Sequence, residues 1–578
     1  MKLTGGQLVV RALEDEGIHL AFGIPGTHNI ELYDALAESR SVQPILVTDE
    51  QSAGFMADAA WRATGRMACA NLVPGAGLTH ALSGVAEAFM DGIPMLVLGC
   101  GIRQDTDRAY QLHDIDQLAI AAPITKGTFR PASGGEIYGV IRRACTLARS
   151  RCPGPVMVEI PVNHYLFKHE VDPASFTTPP AIPNPPLDES AIARAVELLS
   201  APGARPLLYL GLGALGAGSK LVELAERLEA PVATTIQGKG VFPESHPLFL
   251  WNMLGNAAPP FVQKQGSEAT VLLAIGCRFA EVGTGSYGFT PPADLIHVDI
   301  EAAVLGRNFP AAVALHADAA EAVSALLNRL PADRPRDVKM RARIAVARLD
   351  IHGVQRAKPS RDRVTPAVLI DALQARLGPE SVYVTDSGNG TFLAMELLQL
   401  DHPRCFLAPV DYSCMGYSVP GAIGARLARP DTPVVALAGD GAFLMTGLEL
   451  LTAASQGVGV IVVVLRDREL AQIAQFQSTA FNRKAQSILP DYDVAGIAAG
   501  LGVACLPLRT DAEVPGVLEE AARLAEAGEP VVVDAAIDYS EKTFFTRGVV
   551  STNLGRLPWP DRLRFVGRAL RRHLPGGG

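Results

Sequence analysis

Two acidic residues stand at the ends of successive apolar runs. Val434 to Ala438 leads into Gly439-Asp440-Gly441, and Val460 to Leu465 leads to Asp467. A strand entering a Gly-rich turn presents backbone N–H groups and an acidic side chain at the carboxyl edge of a parallel sheet. Ligands bind there, and helix N-termini attract phosphate there. Two oxygen ligands at adjacent strand ends, with a backbone carbonyl nearby, suit Mg²⁺ bridging a diphosphate. The plainer reading is that an Asp after a strand only caps the next helix, here expected over Thr446 to Ala454. The triplet alone is a weak signal in a chain with 55 glycines. Three further side chains could move protons. Glu50, in Thr48-Asp49-Glu50-Gln51-Ser52-Ala53, places a carboxyl group at a helix start, where the helix dipole by itself would account for it. His28, in Pro25-Gly26-Thr27-His28-Asn29, and His113, in Gln111-Leu112-His113-Asp114, lie in loops. A neutral imidazole can carry protons to a carbonyl oxygen or activate water, although a lone His is more often structural.

The elements that must position these groups alternate along the whole chain. Short β-branched runs (Ile18–Gly23, Val42–Val47, Ala68–Val73, Met95–Gly99, Val156–Ile160) are separated by Ala- and Leu-rich helical stretches. That alternation is the signature of parallel α/β units. The Pro-rich stretch Asp172–Pro186 reads as a linker, and Pro331–Ser360, with little apolar periodicity, reads as a second crossing. The expectation is an α/β protein of three doubly wound parallel-sheet domains, at 1–171, 187–330 and 361–545. A basic tail, 546–578, carries seven Arg against one acid, either as a solvated surface helix or as an anion contact over the ligand.

Composition sets outer limits. The 578 residues carry a net charge of −9, which argues against nucleic-acid and anionic-membrane partners. No apolar run reaches the length of a membrane span, and the N-terminus lacks the apolar core of a signal peptide. The eight Cys are scattered without a CxxC pair, so neither a disulfide framework nor a zinc site is expected. A cytoplasmic enzyme is the expectation.

Gly439-Asp440-Gly441, followed at the right spacing by a polar pair, resembles the thiamin-diphosphate-binding motif of the acetolactate synthase-like group of enzymes. That resemblance extends over the chain, as pyrimidine-binding, central and diphosphate-binding domains. It implies thiamin diphosphate and Mg²⁺ as cofactors, with Asp440, Asp467 and the backbone carbonyl of Glu469 as metal ligands. The usual Asn-Asn pair is here Arg466-Asp467, and Arg466 is expected to offset the added negative charge. Glu50 matches the glutamate that bonds N1′ of the aminopyrimidine, so that the exocyclic nitrogen can take the C2 proton. Pro74-Gly75-Ala76-Gly77-Leu78-Thr79-His80 matches a Gly-rich turn, departing at Ala76 and at His80, where Asn is usual. Met415, in Ser413-Cys414-Met415-Gly416, matches the apolar wedge beneath the cofactor. Ser387, Gly388, Asn389, Cys414, Gly439, Gly441 and Ala442 are implied cofactor contacts. The resemblance also implies active sites between subunits, hence a homodimer or homotetramer.

The reaction implied is C–C bond cleavage and formation on 2-oxo acids: a pyruvate-like donor is decarboxylated and its acyl group passes to a second carbonyl. Departures keep other readings open. Gln475-Phe476-Gln477 stands where the biosynthetic synthases carry Trp between two Gln. His28 and His113, with Gln111 as the competing active-site residue and Asn482 as an added polar contact, favour a lyase or hydrolase cleaving a vicinal diketone or acyloin, similar to cyclohexane-1,2-dione hydrolase. The Arg-rich tail suggests a CoA thioester. The altered metal motif admits a non-catalytic cofactor-binding paralogue. For FAD, Gly276-Cys277-Arg278-Phe279 resembles the flavin-binding stretch. Ala280-Glu281-Val282 and Met253-Leu254-Gly255-Asn256 depart from it.

Overall fold

The strands Leu96–Gly101, Val156–Pro161 and Val271–Ile275 are buried at every residue, as strands covered by helices on both faces must be. The computed structural model describes residues 1–331, 334–356 and 359–572. It contains three six-stranded parallel sheets, the expected α/β architecture. The first runs, in spatial order, Gln43–Leu46, Leu20–Gly23, Cys69–Leu72, Leu96–Gly101, Val156–Pro161 and Thr128–Phe129. The second runs Phe249–Asn252, Val232–Thr234, Pro206–Leu210, Val271–Ile275, Asp294–Asp299 and Val313–His316. The third runs Phe406–Leu407, Val382–Thr385, Val434–Gly439, Ile461–Arg466, Val531–Ala536 and Ala504–Leu508.

Each sheet starts on an inner strand, grows to one side, then crosses to the other. This leaves a crevice between Leu20–Gly23 and Cys69–Leu72, another between Pro206–Leu210 and Val271–Ile275, and a third between Val382–Thr385 and Val434–Gly439. Such switch points are where open α/β sheets bind ligands.

The segment 331–360 departs from expectation. It holds a helix, Val338–Arg356, whose Ile344 and Ile351 are buried in the cluster that contains Trp251 and Leu272 of the central domain. Two isoleucines in 19 residues give too faint a period to read from sequence. Residues 332–333 and 357–358 of that segment lie outside the described residues. The Pro-rich 172–186 contains one regular element, a 3₁₀ turn at Pro173–Ser175.

Helix Glu50–Thr64 lies between helices Ala76–Asp91 and Ser418–Ala428, and so joins the first sheet's layer to the third's. Glycine makes both crossings close. A Cβ on Gly84 would stand 2.7 Å from Cα of Gly54, and one on Gly424 would stand 2.4 Å from the carbonyl oxygen of Met56. At the same junction the buried Arg62 guanidinium donates to Asp58 (2.6 Å) and Asp91 (2.7 Å), and Tyr417 donates its hydroxyl to Asp58 at 2.5 Å. Burial opposes the charge on Arg62, but Asp58, Tyr417 and Asp91 overcome it and hold the guanidinium protonated.

Removing one member of such a group leaves buried charge uncompensated. Arg62→Met is expected to destabilise the fold by about 3–5 kcal/mol. Urea unfolding would measure this, and Asp58→Asn in the same background should recover part of the loss.

Candidate active site

The diphosphate-side residues leave the third sheet at its switch point. Asp386 follows Val382–Thr385, and Asp440 follows the strand that ends at Gly439. The Asp386 carboxylate is buried and accepts from the backbone N–H groups of Ser387 (2.9 Å), Gly416 (2.9 Å) and Ser418 (2.8 Å), and from the Ser418 hydroxyl (2.7 Å). Burial raises its pKa and these four donors oppose the rise, leaving it pushed up to about 6. Asp386 thereby ties Ser387-Gly388-Asn389 to Cys414-Met415-Gly416. The second loop is also held from the N-terminal domain, because the Cys414 N–H donates to Glu87 at 3.0 Å. Met415 reaches the start of the Asp440 helix: a Cβ on Gly441 would lie 3.5 Å from its Cε.

Asp440 is 1% exposed and accepts from the N–H groups of Gly441 (2.9 Å) and Arg468 (2.7 Å). Asp467 accepts from the Glu469 N–H at 3.2 Å. Burial and the neighbouring Asp440 push Asp467 up to about 7. Two such carboxylates, close enough to repel, fit a divalent cation between them, and the Glu469 turn lies beside them. Arg466 does not play the expected compensating part. Its guanidinium pairs with Asp491 (3.0 Å) and Asp534 (3.3 Å) and lies 5.3 Å over the Tyr492 ring, because Arg466 ends a strand beside Asp534's strand. Arg466 still favours the charged form of Asp440, and Arg363 that of Asp467, but burial outweighs them.

On the pyrimidine side, Glu50 is the first residue of its helix, with Asp49 as N-cap, and is 9% exposed. The turn before it is fixed by Thr48, which donates from N–H (3.0 Å) and hydroxyl (2.6 Å) to Glu449. The Gly-rich turn runs alongside: a Cβ on Gly77 would lie 3.1 Å from Oε1 of Glu50. His80, one turn further on, places Nδ1 3.4 Å from Oε2 of Glu50.

His28 and His113 meet. Their rings are 5.4 Å apart and edge-on, at the mouth of the first sheet's crevice. Burial, reinforced by His113, lowers the pKa of His28, which keeps that imidazole neutral. Asn29 pins the turn by accepting from the Gly26 N–H at 2.7 Å. His113 adopts φ 67° and abuts Gly75. Gln111 donates to the carbonyl of Arg103 at 3.0 Å and so braces its own loop. The buried glutamine is Gln117, which bonds the Cys100 carbonyl (2.6 Å) and the Gly75 N–H (3.3 Å) and so carries the Gly-rich turn. Its only sequence signal was a polar residue at the start of an apolar helical turn.

Asn482 does not face the diphosphate loops. It donates to the carbonyl of Arg568 at 2.9 Å and ties down the C-terminal helix Trp559–Arg572, where Arg568 also packs over Phe481. The side chains of Arg571 and Arg572 and residues 573–578 lie outside the described residues. Gln475 and Gln477 are braced on the carbonyls of Tyr539 and Ala485, with Phe476 between them, half-buried. At the central switch point a cavity of about 580 Å³ is lined by Gly213, Cys277, Arg278, Asp299 and Asp318, and by Arg404 from the third domain.

Three segments match families described as thiamine pyrophosphate enzyme domains. Residues 3–120 match the N-terminal TPP binding domain, 192–326 the central domain and 386–535 the C-terminal TPP binding domain. Among relatives, the chain is 30% identical to a probable acetolactate synthase large subunit of Methanocaldococcus jannaschii, over 93% of each chain. It is 30% identical to the acetolactate synthase isozyme 1 large subunit of Escherichia coli K12, over 94% of this chain and 95% of the relative. It is 31% identical to an acetolactate synthase of Mycobacterium bovis, over 92% of this chain and 88% of the relative.

A carboxyl held above its unfolded pKa makes the apo-protein less stable as pH rises through that window, because the unfolded chain gives up the proton more readily. Asp467→Asn removes that penalty. The melting temperature of the variant is therefore expected to exceed the parent's increasingly from pH 5 to pH 8. A pH-independent difference would contradict the assignment of Asp467 as the uncompensated carboxylate.

Proposed function

This chain belongs to the thiamine pyrophosphate enzyme family, and on that premise we propose that it decarboxylates a pyruvate-like 2-oxo acid and transfers the acyl group to a second carbonyl compound. The reading is carried by the buried carboxyl of Glu50 at a helix start of the first domain, together with the carboxylates Asp440 and Asp467 at strand ends of the third. The likeness to acetolactate synthases along nearly the whole chain supports pyruvate as donor. Thiamin diphosphate, when bound, supplies the electron sink for the pair released as the C–C bond breaks.

The chain's own residues do the rest. Asp440 and Asp467, with the Glu469 carbonyl, would hold Mg²⁺, which would neutralise charge on the diphosphate. Ser387, Gly388, Asn389, Gly439, Gly441 and Ala442 line the diphosphate end, and Cys414 and Met415 support the cofactor from below. Glu50 holds or releases a proton at its carboxyl oxygen, toward N1′ of the aminopyrimidine. The active unit is a homodimer or homotetramer in the cytoplasm, with Glu50 of one copy facing Asp440 of another. Leu444, Met445, Leu448 and Leu451, beside the Asp440 helix, are 47–62% exposed in the single chain, which fits burial against a second copy. No described helix is long and apolar enough to cross a membrane. FAD, against which Ala280-Glu281-Val282 and Met253-Leu254-Gly255-Asn256 speak, would sit in the central cavity, and visible flavin absorbance of the purified protein tests its presence.

A second reading rests on the His28–His113 contact. Two adjoining imidazoles, one kept neutral by burial, suit deprotonation of water or of a hydroxyl group during cleavage of a vicinal diketone or acyloin.

Incubation with Mg²⁺, thiamin diphosphate and pyruvate, with products identified by mass, is expected to yield acetolactate. Glu50→Gln should lower turnover at least about 100-fold while cofactor affinity stays within a few-fold. Turnover of a diketone but not of pyruvate would move the assignment to the second reading. Unchanged turnover in Glu50→Gln would remove Glu50 from the chemistry.

A further inference from the structure

Glu50 has to exchange a proton with solvent while its own carboxylate is nearly enclosed. It is 9% exposed, set between the Asp49 cap and the Gly77 turn. His80 stands between it and water. In the single chain its side chain is 61% exposed, and Nδ1 lies 3.4 Å from Oε2 of Glu50. The helix crossing at Gly54 and Gly84 brings the first turns of the two helices together, so this contact is built into the fold. Asp49 is the other titratable group at the contact: ligand atoms of Asp49, Glu50 and His80 lie within 4.8 Å of one another.

We propose that His80 relays protons between solvent and Glu50, acting on the cofactor only through that carboxylate. This rests on the assignment of Glu50 above. In the inward direction the imidazolium passes its Nδ1 proton to Oε2 of Glu50, giving a carboxylic acid and a neutral imidazole, which solvent reprotonates. In the outward direction each transfer reverses. An imidazole is suited to this because it changes charge across the neutral range, whereas an asparagine at the same place cannot ionise.

The test is the rate at which the C2 hydrogen of bound thiamin diphosphate exchanges for deuterium, read by NMR after acid quench, together with cofactor affinity. In His80→Asn the exchange rate near neutral pH is expected to fall about 100-fold, the low end of what positioned acid–base groups contribute. The imidazole limb of its pH profile should disappear. Cofactor affinity should stay within a few-fold, and free imidazole added to His80→Ala should restore part of the rate. An unchanged rate and pH profile in His80→Asn would overturn the relay, as would a loss of affinity matching the loss of rate without imidazole rescue. Glu50→Gln is measured alongside. If exchange persists there too, the assignment of Glu50 itself fails. If it collapses there but not in His80→Asn, only the relay fails.

Discussion

The buried charge cluster on Arg62 is the constraint that holds the first and third domains of the chain together. Its guanidinium binds Asp58 on its own helix and Asp91 at the end of the next, and Asp58 in turn accepts from Tyr417 of the C-terminal domain. A buried cation tolerates little displacement of its partners, because each lost contact leaves charge unpaired in a medium that screens it poorly. The cluster therefore fixes the helix that begins at Glu50 against the helix that carries His80 and against the loop that carries Met415. The glycine contacts at Gly54, Gly84 and Gly424 serve the same end by letting those helices touch through their backbones.

Two aspartates at the third sheet's switch point show how the same residue type takes opposite roles. Asp386 has four donors from one loop and its neighbour, so its charge is answered within the protein and it organises the cradle. Asp467 accepts one N–H, faces Asp440, and has lost Arg466 to Asp491 and Asp534. A carboxylate left short of positive charge is one that a bound cation completes. The departure from the family's usual asparagine thus adds charge where a metal would be held.

The pyrimidine side differs from that pattern by its histidines. His80 adjoins Glu50, whereas His28 meets His113 beside Gly75. Membership of the family settles the cofactor class and the carboligase or transferase type of chemistry.

The α/β class is legible in local pattern alone, since β-branched runs such as Val271–Ile275 and Val531–Ala536 alternate with helices, and that alternation depends only on composition and period. Local pattern also placed Asp440, Asp467 and Glu50 at element ends, because a strand, a turn and a helix start are contiguous in the chain. Short or half-polar strands such as Phe406–Leu407 and Thr128–Phe129 left no period to read, and neither did the helix Val338–Arg356. Which polar groups meet follows from the packing of the elements. Arg466 turns to Asp534 on the adjacent strand, Asn482 turns to the C-terminal helix, and Gln117 reaches back to Gly75. His80 faces Glu50 across a crossing of two helices. These partners are distant along the chain, and which of them a charge or amide finds is set by how sheets and helices stack, which no local pattern encodes.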